Sequence, residues 1–188
     1  RRDFTMNSLA YSVSNKKIVD LYEGEKDIKD KVIRTVGEPD ERFKEDGLRI
    51  LRAVRFLAEL ELEIEPLTEN AIVNNGNLLA NLSRERFRDE FTKIILSPKP
   101  MEGLLALKKL GLLSFVVPEL EKTIGVDQGG AHSYDVWEHL LRSVQHSADK
   151  NYPLETRLSA LFHDISKPES RRKGKGEKAW SFYGHEVL

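Results

Sequence analysis

Beyond residue 40, apolar side chains recur at three- and four-residue spacing, which commits most of this chain to packed helices. The clearest segment spans residues 39–60. There Ile50, Leu51, Val54, Leu57 and Ala58 share one face, with Glu45, Arg49, Arg52 and Glu59 roughly opposite. Pro66 interrupts the pattern, after which Thr68 is placed to cap a helix over residues 68–74. Ser83 is placed to cap the next, which carries Phe87, Phe91, Ile94 and Ile95. Leu104, Leu105, Leu107 and Leu110 predict a further helix, stopped by Gly111. After Pro118 and a loop at 125–131, helices are predicted at 135–149 and 154–162, followed by a basic, glycine-containing loop at 171–178.

The first 38 residues read differently. An apolar run at 4–13, a turn at 14–17 and a second short run at 18–22 predict a β-hairpin. A short helix at 25–31 and a strand at 32–36 follow, closed by Gly37 and Pro39. The fold class expected is therefore α+β and predominantly α-helical. Three parts are expected: 1–38 with the hairpin, a helical neck and body at 39–120, and an all-α end at 121–188.

Composition narrows the functional classes. There is no Cys, which excludes a disulfide framework, a thiolate metal site and a cysteine nucleophile. Lys and Arg number 30 against 31 Asp and Glu, so any nucleic-acid contact must come from local patches. No apolar run approaches the roughly 20 residues that span a bilayer, and no membrane partner is expected. The start lacks the features of a signal peptide, and a cytoplasmic location is expected. The chain starts without Met, inside a dense polar motif, and is expected to be an internal fragment of a longer protein.

Two constellations carry chemistry. In ERFKEDGLRILRAVRF (41–56), a helical reading makes Asp46 and Arg49 neighbours. An ionised carboxylate only accepts and a guanidinium only donates, so the pair can read a nucleobase edge. Arg52 and Arg55 continue along the helix, where planar forks suit phosphate oxygens. A surface helix laced with ion pairs is the alternative. In the second constellation, LSALFHDISKP (158–168) ends an apolar helix in His163-Asp164, with His139 on the preceding helix. The three can ligate one divalent metal if the helices bring them together. His132 and His185 lie in the same third of the chain.

RRDFTMN (1–7), DLYEGEKDI (20–28) and ERFKEDGLRILRAVRF (41–56), in this order and at these intervals, resemble the class II tRNA nucleotidyltransferases, which include CCA-adding enzymes and bacterial poly(A) polymerases. The likeness covers about residues 1–120 and continues more weakly through LSRERFRDEFTKIIL (82–96) and GLLSFVVPEL (111–120). It implies that 1–38 closes a nucleotidyltransferase head domain and that 20–28 is a hinge between head and neck. It implies that Arg2 holds the ribose and triphosphate of the incoming nucleotide, with Asp3 and Asn7 on the sugar side. Asp46 and Arg49 would pair with the base of CTP or ATP, Glu45 would orient Arg49, and Arg52 and Arg55 would approach the phosphates. The expected partners are the tRNA 3′ end, CTP and ATP. The family's catalytic Asp-x-Asp pair stands upstream of RRDFT, and no Asp-x-Asp occurs here. No catalytic residue is therefore expected in this chain, and the ligands of Mg²⁺ are expected upstream. Ser83, Glu85 and Arg86 resemble a family motif that braces the neck; read from the residues alone they are an N-cap and flanking charges.

The second constellation resembles the HD phosphohydrolase superfamily, whose metal set is His … His-Asp … Asp. It implies a partial HD domain holding a divalent transition metal on His139, His163 and Asp164, with no match for the closing Asp. His185 resembles a later His of that domain, and Lys167 is placed to contact a phosphate. The rival expectations are an HD-type metal-dependent phosphohydrolase, a bacterial poly(A) polymerase, or an RNA-binding module touching phosphates through Arg171, Arg172, Lys173 and Lys175.

Overall fold

A computed structural model describes residues 2–129, 133–174 and 180–185. Prolines set much of its punctuation. Pro39, Pro66, Pro100, Pro118 and Pro168 each stand in the first turn of a helix, where the missing N–H costs nothing and the fixed φ is already helical.

The N-terminal part opens with a 3₁₀ turn at Thr5–Asn7, then strands β1 (Ala10–Ser12) and β2 (Lys17–Val19) in an antiparallel hairpin. Helix α1 (Gly24–Lys29) and strand β3 (Val32–Ile33) follow. Next come α2 (Pro39–Glu45), α3 (Leu48–Leu60) and β4 (Glu63–Ile64), which pairs in parallel with β3. Helices α4 (Pro66–Asn75), α5 (Arg84–Leu96), α6 (Pro100–Lys109), α7 (Leu113–Val116) and α8 (Pro118–Glu121) form the middle. Helices α9 (Val136–Asp149), α10 (Leu154–Phe162) and α11 (Lys167–Ser170) and the short antiparallel pair β5 (Arg172–Lys173) and β6 (Trp180–Ser181) complete the described residues. The class is α+β and predominantly helical, as expected.

One apolar cluster runs from Phe4 through Ile50, Leu51, Ile94, Leu104 and Leu107 to Leu140, Leu141 and Leu161. Helix α6 packs against both α3 and α9, so the final part shares the core of the middle. Arg157, itself buried, seals this joint by donating to the carbonyls of Ile95 (3.0 Å) and Ser97 (2.9 Å). Among the described residues, no helix is long and apolar enough to cross a membrane.

Three local expectations are corrected. The continuous helix over 39–60 is two helices, because Asp46 is extended (φ −158°, ψ 104°) between α2 and α3. Gly47 follows it, pressed so closely on Leu78 that a Cβ would stand 2.9 Å from that residue's Cβ. Thr68 does not cap α4. Glu65 does, accepting from the Thr68 N–H (2.8 Å), while Thr68 Oγ1 is buried and accepts from the Thr35 N–H (3.3 Å). The basic stretch after Ser170 is not simply a loop. Arg172 and Lys173 pair with Ser181 and Trp180, and the Arg171 guanidinium lies 3.7 Å from the centre of the Trp180 ring. Lys175 and His132 lie outside the described residues.

Candidate functional site

The break at Asp46 builds the first site. Its backbone carbonyl accepts from the Arg49 N–H (3.1 Å) and its Oδ1 from the Leu48 N–H (3.1 Å), so Asp46 starts α3 rather than riding on it. Asp46 and Arg49 are thus brought together by a helix start, not by the helical face inferred from their spacing. Arg49 is fixed through one nitrogen: Nη1 donates to Glu45 Oε2 (2.8 Å) and to the Arg42 carbonyl (2.8 Å). Glu45 also pairs with Arg42 Nη2 (2.8 Å). The Nε–Nη2 edge of Arg49 makes neither of these bonds, so a two-donor edge of the fork is left for a ligand.

Asp3 is the second fixed point. It is 7% exposed, accepts from Asn7 Nδ2 (2.7 Å) and pairs with Arg52 Nε. Burial pushes its carboxyl up, but the hydrogen bonds from Arg52 and Asn7 and the Arg52 charge outweigh it and hold it below the usual carboxylate range. Arg2, Asp3, Asp46, Leu48, Arg49, Arg52 and Arg86 line one cleft of about 240 Å³. Four arginines against two aspartates favour an anionic ligand. The volume is below the roughly 300–1,000 Å³ of sites that enclose a whole ligand, so these residues surround only part of one.

Not every expected residue reaches the cleft. Asn7 acts behind it, holding Asp3 and accepting from the Phe4 N–H (3.2 Å). Arg55 points away: its Nε lies 3.2 Å from Glu90 and 3.6 Å from Glu59, and its guanidinium covers the Phe56 ring at 4.2 Å. Arg86 enters instead, with Nη2 donating to Asp46 Oδ2 (2.6 Å). The bland expectation for Arg86, a flanking helix charge, is corrected by this contact across 40 residues, while Ser83 does cap α5.

The segment 20–28 braces this site. Asp20 accepts from the N–H groups of Glu25 (3.0 Å), Gly24 (2.9 Å) and Tyr22 (3.2 Å), which hold its carboxyl below the usual range. Gly24 lies so close to Thr5 that a Cβ would stand 2.3 Å from its carbonyl oxygen. Thr5 Oγ1 donates to buried Asp27 (2.7 Å), which also pairs with Arg34 (3.1 Å). Two stretches separated in sequence, 2–7 and 20–28, are therefore one bonded unit.

The second site gathers around Asp164 at the end of α10. His139 Nε2 and His163 Nε2 are 3.1 Å apart, and they lie 3.5 Å and 3.2 Å from Asp164 Oδ2. Donors bound to one metal at about 2.1 Å stand roughly 3.0–3.4 Å from each other, so the three edges match one face of a coordination shell. His163 Nδ1 donates to the Ala160 carbonyl (3.0 Å), which leaves Nε2 as the ring nitrogen placed to meet a metal. His185 joins them: Nδ1 donates to the Phe182 carbonyl (2.7 Å), and Nε2 lies 3.3 Å from Asp164 Oδ1. Lys167 sits on Asp164 Oδ2 (2.7 Å) instead of standing open to a phosphate. The donor set suits a divalent transition metal.

Comparison with known proteins agrees with these motifs. Residues 1–34 match the family described as the poly(A) polymerase head domain. Residues 61–124 match the family described as the probable RNA and SrmB-binding site of polymerase A. The chain is 35% identical over 193 residues to the A-adding tRNA nucleotidyltransferase of Deinococcus radiodurans, covering 99% of this chain and 44% of that protein. It is also 35% identical over 192 residues to the CC-adding tRNA nucleotidyltransferase of Thermus thermophilus, covering 98% of this chain and 43% of that protein. Among solved structures, the CCA-adding enzyme of Bacillus stearothermophilus in complex with CTP superposes with a TM-score of 0.63 at 31% identity, over 92% of this chain and 48% of that one. The chain thus spans less than half the length of these relatives. Its motifs, its matched domains and its helical fold agree, and the chain belongs to the class II tRNA nucleotidyltransferase and poly(A) polymerase family.

Proposed function

We propose that this chain is the base-selecting part of a cytoplasmic tRNA nucleotidyltransferase that transfers CMP or AMP from CTP or ATP to a tRNA 3′ end and releases pyrophosphate. In this reading 1–38 ends the head domain, 39–120 is the nucleotide-selecting neck and body, and 121–188 is part of an HD domain. The observation that carries it is the α2–α3 junction, where Asp46 and the free edge of Arg49 meet beside Arg2, Arg52 and Arg86.

The chemistry follows from donors and acceptors. Cytosine and adenine each present an exocyclic amine next to a ring-nitrogen acceptor, whereas uracil and guanine present a carbonyl in the amine's place. Asp46 accepts from the amine and Arg49 donates to the ring nitrogen. A carbonyl facing Asp46 would meet an acceptor where it needs a donor and would be left unpaired, which costs about 1–3 kcal/mol. Glu45 and the Arg42 carbonyl keep Arg49 in place, and Arg86 keeps Asp46 in place. Arg2 and Arg52 supply positive charge toward the triphosphate, with Asp3 and Asn7 fixing Arg52 on the sugar side. Arg55, held by Glu90, supports α3 from behind. Mg²⁺, held by carboxylates outside this chain, would activate the attacking hydroxyl.

The test uses the full-length protein that contains this chain. Asp46→Ala and Arg49→Ala should each lower kcat/KM for CTP and ATP and cut the preference over UTP and GTP by about tenfold to a hundredfold. Helical circular dichroism should be retained. Full CTP-over-UTP preference in both variants would refute the reading.

The Asp164 cluster favours a second activity in the same protein. A divalent transition metal on His139, His163 and Asp164 would supply Lewis-acid activation of a phosphoester. Calorimetric titration of Co²⁺ into the chain should show one site that His163→Ala removes; binding unaffected by that substitution would refute the assignment.

A further inference from the structure

Asp164 is met by four side chains, and one of them is a lysine. Its Oδ2 accepts from Lys167 Nζ at 2.7 Å, closer than His163 (3.2 Å) or His139 (3.5 Å), while Oδ1 faces His185 at 3.3 Å. Lys167 is buried and is held from a second side by Gln128 Oε1 at 2.6 Å. Gln128 is buried too. Its Nε2 donates to the Tyr134 carbonyl (3.2 Å), which fixes the amide so that its oxygen faces the ammonium. The backbone adds a third hold, since the Lys167 N–H donates to the Asp164 carbonyl (3.1 Å) and Pro168 stiffens the next residue.

We propose that Lys167, seated by Gln128, is the resident cation of this cluster, and that a divalent metal occupies His139, His163 and Asp164 only in competition with it. The proposal rests on the metal-site reading above. The oxygen that completes the donor triangle is the one that already carries the ammonium. A divalent ion there would share that oxygen with a fixed positive charge in a poorly solvated place, where like charges repel far more strongly than in water. The ammonium cannot simply swing out, because doing so would leave Gln128 Oε1 and part of Asp164 without their partner. Lys167 therefore sets metal affinity, and Gln128 is a positioning residue that acts through it.

The experiment titrates Co²⁺ into this chain at fixed pH and ionic strength, followed by visible absorption of the bound ion and by calorimetry. Thermal unfolding confirms that each variant is folded. Lys167→Met should tighten Co²⁺ binding by about tenfold or more. Gln128→Leu, which keeps the lysine but loosens its seat, should tighten it by a smaller factor. Lys173→Met, on the exposed strand β5, should change nothing. Should Lys167→Met fail to fold, Gln128→Leu decides alone. Co²⁺ binding by Lys167→Met but not by the unaltered chain would support the proposal in its strongest form. Equal or weaker binding in the folded variants, with normal binding by the unaltered chain, would overturn the proposal and leave the metal site standing. No binding by any protein would overturn both.

Discussion

The two sites handle charge in opposite ways. In the cleft at the α2–α3 junction, arginines are in excess and each carboxylate has its own: Asp3 has Arg52, Asp46 has Arg86, and Glu45 holds Arg42 and Arg49. At the end of α10, one carboxylate serves three imidazoles and a lysine. An excess of forked donors suits an anionic ligand that brings its own acceptors. Imidazole nitrogens gathered around a single carboxylate suit a cation. The difference also predicts unequal structural dependence. Asp46 and its partner Arg86 are partly solvated, whereas Asp164 is buried and shared.

The largest expected effect follows from that sharing. Asp164→Ala would strand the buried Lys167 ammonium and should destabilise the chain by about 3–5 kcal/mol in denaturant unfolding. A loss below about 1 kcal/mol would mean that Gln128 and solvent suffice for Lys167, and the contrast between the sites would fail. Gly47→Ala comes next. Its Cβ would meet Leu78 at 2.9 Å, so about 1–3 kcal/mol of overpacking is expected, with loss of nucleotide binding if α3 shifts. Unchanged stability would show that Leu78 moves aside easily.

Asp3 sharpens the comparison through pH. Its folded pKa lies below the ordinary 3.8, so the folded state binds fewer protons than the unfolded chain in that range. Its contribution is complete above about pH 4 and is lost as pH falls through the lowered folded value. Asp3→Asn should therefore flatten the acid limb of the stability profile and leave the slope near neutrality unchanged; an unaltered acid limb would contradict the Arg52 pairing. The smallest effect is expected for Asp46→Ala. Its partner Arg86 is half exposed, so unfolding should register about 0–1 kcal/mol. A large loss there would recast Asp46 as structural and weaken its role in selection.

Much of the fold was legible because it is local. The prolines, the stripe from Ile50 to Ala58 and the Ser83 cap of α5, which accepts from the Arg86 N–H at 3.5 Å, act within a few residues of the elements they define. What the sequence concealed depends on distant partners. Gly47 sits in a helical pattern, and only Leu78 pressing on it is consistent with a break there. Strand β3 falls within the strand expected at 32–36, but its parallel partner β4 has only two residues, too short for any alternation to register. At the first site, spacing suggested Asp46 and Arg49 on one helical face; they line one cleft through a helix start instead, and Arg86 and the outward turn of Arg55 depend on α5 packing beside α3. At the second, His139, His163, Asp164 and the later His185 were named from the sequence, while Gln128 arrives from a loop whose course no periodicity reports.

The central claim is that the α2–α3 junction distinguishes bases by their hydrogen-bonding edge. The most direct measurement is calorimetric binding of CTP and UTP to this chain and to its Asp46→Ala and Arg49→Ala variants. CTP should bind about tenfold to a hundredfold more tightly than UTP, and the gap should close in both variants. Equal affinity for CTP and UTP in the unaltered chain, or a gap that survives both substitutions, would contradict the account.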